Sequence, residues 1–141
     1  MARKANHHPT DAELAILRVL WQRGPSTVRQ VHEAMAGDEG VGYTTVLKML
    51  QIMADKGLVE RDASERAHVF RARDSEATTQ GGLIGDLLDK AFDGSASRLV
   101  MRALTSRPAP PEELAEIRRL LDQMEHSVNP SEVTEHDSEL D

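Results

Sequence analysis

The chain has 141 residues, a net charge of −7, 39% hydrophobic but only 3% aromatic residues, and no cysteine. That length leaves room for one compact unit with an accessory segment, or two small units that support each other, and not for a large catalytic architecture. The missing thiols exclude disulfides, thiolate metal sites and cysteine nucleophiles, and a core restricted to Leu, Val, Ile, Met and Ala beside abundant Glu and Arg predicts a mainly helical fold.

Residues 1–9 read as a flexible basic terminus, with Arg3 and Lys4 as a short arm. No stretch resembles a signal peptide, and none approaches the roughly 20 apolar residues of a membrane span, so a cytoplasmic protein is expected. Thr10-Asp-Ala-Glu13 is a capping box that starts a first helix, with Leu14, Leu17, Leu20 and Trp21 on its inner face and Gly24-Pro25 as its stop. Trp21 is expected in the core. Ser26 and Thr27 offer caps for a short second helix with Val28, Val31 and Met35 inside, ending at Gly37. A third helix is predicted from Tyr43 to Lys56, with Gly57 as its left-handed cap. Val46, Leu50 and Met53 form its inner stripe, and Thr44, Lys48, Gln51 and Asp55 its outer one.

Leu58–Asp62 and Arg66–Arg73 read as the strands of a hairpin around Ala63-Ser64-Glu65, the second strand carrying Arg66, Arg71 and Arg73. Three short helices followed by a hairpin are the order of a winged helix, in which the third helix enters the DNA major groove and the hairpin flanks it. The expected DNA-binding domain is therefore 10–73.

Beyond Asp74 the chain changes character. Residues 1–73 carry 11 Lys and Arg against 9 Asp and Glu, a net +2, whereas 74–141 carry 6 against 15, a net −9. A polyanion would be attracted by the first part and repelled by the second. Leu83, Ile84, Leu87, Leu88, Ala91 and Phe92 predict a fourth helix, loosened at its start by Gly81-Gly82. Ser95 caps a fifth helix with Leu99, Val100, Ala103 and Leu104. A sixth begins at Pro111 with Glu112 and Glu113 in its first turn, and Leu114, Ile117, Leu121 and Met124 follow a heptad-like pattern. Three short amphipathic helices make a poor core alone, so 74–126 is expected to be a dimerisation segment that buries Ile84, Leu87, Leu88, Phe92, Leu99, Leu114, Ile117 and Leu121 against a second copy. Residues 127–141 read as an acidic, disordered tail.

The residue types required of a DNA reader are small polar side chains at the start of the recognition helix and cations that reach phosphates. Tyr43, Thr44, Thr45, Lys48 and Gln51 meet that requirement, with Arg66 on the wing. The alternative for the same face is a solvated helix surface. His7-His8 lacks a third ligand at metal-binding spacing, and the remaining histidines are scattered, so no metal or other cofactor is expected. No Gly-x-Ser-x-Gly turn, His-Glu-x-x-His motif or phosphate loop occurs, and an enzyme is not expected.

Glu13-Leu-Ala-Ile-Leu-Arg-Val-Leu-Trp21, Thr27-Val-Arg-Gln-Val31, Gly42-Tyr-Thr-Thr-Val46, Lys56-Gly-Leu-Val59 and Arg66-Ala-His-Val-Phe70, in this order and spacing, resemble the penicillinase repressor and methicillin-resistance repressor family. The resemblance covers about residues 10–73. It implies a winged-helix repressor, dimeric through an interlocked carboxy-terminal segment, that binds double-stranded DNA at a palindromic operator. It also implies that the recognition helix starts at Tyr43, Thr44, Thr45 and Lys48 and that the wing lies around Arg66. Some members are released from DNA by an inactivating protease that cuts an Asn-Phe bond in the fifth helix. The matching position here reads Arg102-Ala103 in place of that bond, which leaves an inactivating protease as an open alternative partner, while the cysteine-based copper response of other relatives does not carry over. A winged-helix protein-interaction module without DNA binding, suggested by the overall acidity, is the second reading.

Overall fold

In the computed structural model, which describes residues 8–35, 41–64 and 66–140 with side chains as far as residue 127, helix α1 runs Asp11–Arg23. Its capping box is closed: the Glu13 N–H donates to Thr10 Oγ1 at 3.2 Å, and the Thr10 N–H donates to Glu13 Oε1 at 2.9 Å. Ile16, Leu17 and Leu20 turn inward. Gly24 ends the helix at φ 90°, a conformation that costs a side-chain-bearing residue energy.

Only one of the two expected caps of the second helix acts as one. Thr27 forms a further capping box with Gln30 at the start of α2 (Val28–Ala34). Ser26 is instead buried in a two-residue strand, β1 (Ser26–Thr27), where its hydroxyl donates to the Gly24 carbonyl at 2.8 Å. The expected stop at Gly37, like Arg3, Lys4 and His7, lies outside the described residues.

Helix α3 (Tyr43–Lys56) has the predicted bounds, with Gly57 left-handed at φ 85°, ψ 15°. Val46, Leu50 and Met53 are fully buried on it. Strands β2 (Val59–Asp62) and β3 (Val69–Ala72) follow, and the antiparallel sheet has the order β1-β3-β2, pairing Ser26 with Phe70 and Arg61 with Phe70 from the other side. The hairpin is thus shorter than expected, and Arg66 sits in its turn rather than on a strand. The Ser64 N–H donates to Asp62 Oδ1 at 2.9 Å and turns the chain away at once, and the ladder resumes only where Phe70 enters the core. One cluster joins Ile16, Leu17 and Leu20 of α1, Val28 and Val31 of α2, Met35, the inner stripe of α3, Val59 and Phe70.

Trp21 is half-buried and packs against the core cluster from its edge: its indole Nε1 donates to the Asp74 carbonyl at 2.9 Å and ties the end of α1 to the chain leaving the sheet. Helix α4 (Glu76–Ala91) begins seven residues before Leu83, so Gly81 and Gly82 lie inside it. Ser75 is the unrecognised start signal, accepting the Thr78 N–H at 3.1 Å. The chain separates into two units, Met1–Ala91 and Phe92–Asp141, which puts α4 in the first one and not with the helices that follow.

In the second unit Ser95 caps α5 (Ala96–Ser106) by accepting the Arg98 N–H at 3.2 Å. Helix α6 (Pro111–Leu140) has the expected proline and acidic first turn. It is helical through 127–140, where the sequence predicts an irregular tail; once a helix is nucleated, extending it costs little per residue. Among the described residues no helix is long and apolar enough to cross a membrane.

Candidate nucleic-acid interface

The core contacts of α3 decide what its other side presents. With Val46, Leu50 and Met53 inside, the side chains of Tyr43, Thr44, Thr45, Lys48, Gln51 and Asp55 all stand in solvent. Tyr43 is the most amino-terminal of these and 46% exposed. The sequence reads Thr44, Lys48, Gln51 and Asp55 as the outer stripe, and all four are exposed on the helix.

Beside this surface lies an open groove of about 530 Å³ between α3 and the sheet. Tyr43, Leu47 and Gln51, one turn apart, form its helical wall; Arg61, Arg66, Ala67, His68 and Phe70 form the wing side, and Thr27, Val28 and Arg29 close one end. Three arginines therefore line one concavity together with a tyrosine and a glutamine. Arg29 and Arg61 were not singled out in the sequence. Arg29 is an unremarkable position near the start of a short helix, and Arg61 reads as one charge in an alternating Glu-Arg-Asp run. Only the pairing of β2 with β3 and of β1 with β3 brings them to Arg66.

The charges here differ in how far they are committed. Among the described residues, Arg29, Lys48, Arg61 and Arg66 are in no ion pair. Arg71, expected as a contact, is engaged across the hairpin: its Nη2 lies 2.8 Å and its Nε 3.1 Å from Glu60 Oε1. Arg73 leaves the sheet beside Gly57, close enough that a Cβ on that glycine would lie 3.0 Å from its guanidinium. At the wing turn, hydrogen bonds from the Ser64 backbone and side chain hold the Asp62 carboxyl below the usual aspartate value, so that acid stays ionised.

The frame under the interface is itself electrostatic. Glu13, buried at the start of α1, accepts from Lys56 Nζ at 2.7 Å and so fixes the far end of α3 to the first helix. Burial would raise the Glu13 pKa; the hydrogen bonds from Lys56 and Thr10 overcome this and hold it below the ordinary glutamate value. At the other end, His32 of α2 bonds the Val41 carbonyl at 3.0 Å and stands edge-on to Tyr43.

The eight residues expected to form a dimer contact remain partly or largely in solvent in the single chain. Ile84, Leu87, Leu114 and Leu121 are exposed and Leu88, Phe92, Leu99 and Ile117 half-buried, and neither α4 nor α5 has a buried residue. No group of three His, Asp or Glu able to hold a metal occurs among the described residues. His8 lies 3.8 Å from Asp86.

A family model described as the penicillinase repressor matches residues 9–123. Over 116 residues the chain is 35% identical to the transcriptional regulator BlaI of Mycobacterium tuberculosis in two strains, a match covering 82% of this chain and 83% of that protein. Among solved structures it is similar to the Bacillus licheniformis BlaI monomer in complex with the blaP half-operator, with a TM-score of 0.44 and 22% identity over 50% of this chain and 89% of that one. The ferric uptake regulator of Pseudomonas aeruginosa, solved with manganese, gives 0.42 and 29% over 53% and 59%.

Proposed function

The chain belongs to the penicillinase repressor family, and from that membership we propose that it represses transcription as a homodimer bound to a palindromic DNA operator. It is a DNA-binding transcription regulator and not an enzyme. The observation that carries the finer reading is the groove in which Arg29, Arg61 and Arg66 face Tyr43 and Gln51 of α3. Cations not committed to carboxylates are what phosphate neutralisation needs, and exposed Thr44, Thr45, Lys48 and Gln51 suit base edges in the major groove. In this reading α3 lies in the major groove and the β2–β3 wing follows the adjacent backbone.

The dimer is supported by a different feature. Leu114, Leu121 and Met124 recur at heptad-like spacing on α6 and stand 37%, 54% and 56% exposed, a stripe that water covers poorly. A second copy supplies the missing apolar surface, and two-fold symmetry of the protein then dictates a palindrome in the DNA.

Selection from random duplexes with the full chain tests this directly. The expected product is an inverted repeat whose half-sites are one or more helical turns apart. Enrichment of no motif at low salt, with a protein partner retained at one-to-one stoichiometry, would instead favour an interaction module.

A further inference from the structure

The amino end of α3 has no local cap. Gly42 occupies the N-cap position and makes no side-chain hydrogen bond, so the residues next to Tyr43 do not themselves fix how the chain enters the helix. Helix α2 supplies the tether. His32, half-buried in its last turn, lies 3.0 Å from the Val41 carbonyl oxygen through Nε2, and its ring meets Tyr43 edge-on, with centroids 6.0 Å apart and planes at 78°. A carbonyl only accepts, so Nε2 carries the proton in this arrangement. One imidazole thus holds both the backbone two residues ahead of Tyr43 and the first side chain of the helix. We propose that His32 is a positioning residue for DNA recognition, acting through Tyr43 by fixing the entry of α3 and the plane of the tyrosine ring. The inference rests on the reading of α3 as the recognition helix.

The physical gain is preorganisation. An exposed tyrosine without support samples several rotamers, and ordering it against DNA costs conformational entropy at the moment of binding. An edge-to-face ring contact and a backbone tether meet that cost in the unbound protein. His32 adds no phosphate contact of its own, so it alters affinity without altering how many phosphates are neutralised.

Tyr43 is the only tyrosine in the chain, so ring-labelled tyrosine in the full-length protein gives one set of NMR signals. In His32→Ala those signals move toward random-coil positions, and operator affinity falls roughly two- to tenfold, the worth of one neutral hydrogen bond, with the salt slope unchanged. His32→Gln places an amide nitrogen the same number of bonds from Cα as Nε2 and recovers part of the loss. His32→Phe keeps a ring beside Tyr43 but drops the donor, and it too binds less tightly. With Tyr43→Ala already in place, His32→Ala weakens binding less than it does in the wild type, because only the Val41 tether is left to lose.

Equal weakening by His32→Ala with and without Tyr43→Ala would mark a merely structural histidine and overturn the proposal. An unmoved Tyr43 spectrum would do the same. So would wild-type affinity in both His32→Ala and His32→Phe while Lys48→Ala weakens binding, a result that leaves α3 as the recognition helix. If the wild-type chain prefers no duplex sequence, the recognition reading fails and the role of His32 fails with it.

Discussion

Glu13 tolerates burial because its carboxylate is held by a backbone N–H of Thr10 and the ammonium of Lys56. A carboxyl whose folded pKa is depressed stabilises the fold above its unfolded value and loses that contribution as pH falls through the folded one. The Glu13 pKa is depressed, so the stabilisation is present at neutral pH and fades in acid. Glu13→Gln should therefore lower stability at pH 7 by about 1–3 kcal/mol, as expected when a buried donor set loses a charged acceptor. Its melting temperature should also vary less than that of the wild type between about pH 5 and pH 3. Parallel melting curves for the two proteins across that window would assign the acid sensitivity elsewhere, for example to Asp62. The cations of the interface separate by the same kind of reasoning. Lys48→Ala, Arg61→Ala and Arg66→Ala should each flatten the salt dependence of binding by about one unit per protomer, about two for a dimer on the full operator. Arg71→Ala should flatten it less, because Glu60 already takes up that charge. Titrations at four or five salt concentrations measure all four slopes, and an undiminished slope removes the residue concerned from the phosphate contacts.

At the level of elements, legibility followed locality. Helix α3 was readable to the residue because its apolar spacing, its glycine cap and its core contacts all agree. The first capping box was readable as Thr-x-x-Glu for the same reason, whereas Thr27 reads only as one of two candidate caps until its box with Gln30 is seen. Strand β1 was not: two residues carry no alternation, and its partner β3 lies more than forty residues away. The same long-range pairing hid Arg29 and Arg61, which become interface residues only when the sheet closes. The sequence starts α4 near Leu83 because Gly81-Gly82 read as a loosened beginning, although Gly costs a helix only about 1 kcal/mol per residue and the Ser75 cap lies upstream. The apolar stripe of α6 was legible as a pattern but not as a contact, since Leu114, Leu121 and Met124 stay exposed in the single chain. That makes it testable on its own. Leu121 is 54% exposed in the single chain, so Leu121→Asp should leave the melting of an isolated protomer within about 0.5 kcal/mol. In a dimer that buries this position, the same charge is left without a partner and should shift the equilibrium to monomer. Sedimentation at several concentrations reads the result, and an unchanged dimer would place the contact on another face.

The whole molecule sets two effects against each other. Residues 1–91 carry 12 Lys and Arg against 13 Asp and Glu, a net −1, so the second unit contributes −6 of the total −7. Removing that unit makes the remainder less repulsive to DNA, and on electrostatics alone every duplex should be bound at least as well. If the second unit joins two copies, its removal also separates two recognition helices that otherwise act at a high effective concentration. That loss amounts to about 10²–10⁴ in affinity for a site with two half-sites. The two terms point in opposite directions only on the full palindrome. Truncation after Ala91 keeps the core cluster and the Trp21–Asp74 bond, so the fragment should fold and be monomeric. Its affinity for the full operator should fall by at least a hundredfold and its salt slope by about half. Its affinity for non-specific duplex should hold or rise. A fragment that kept full operator affinity would show that recognition needs one protomer, and the acidic helices would then act as a brake on DNA binding instead of a clamp that doubles it.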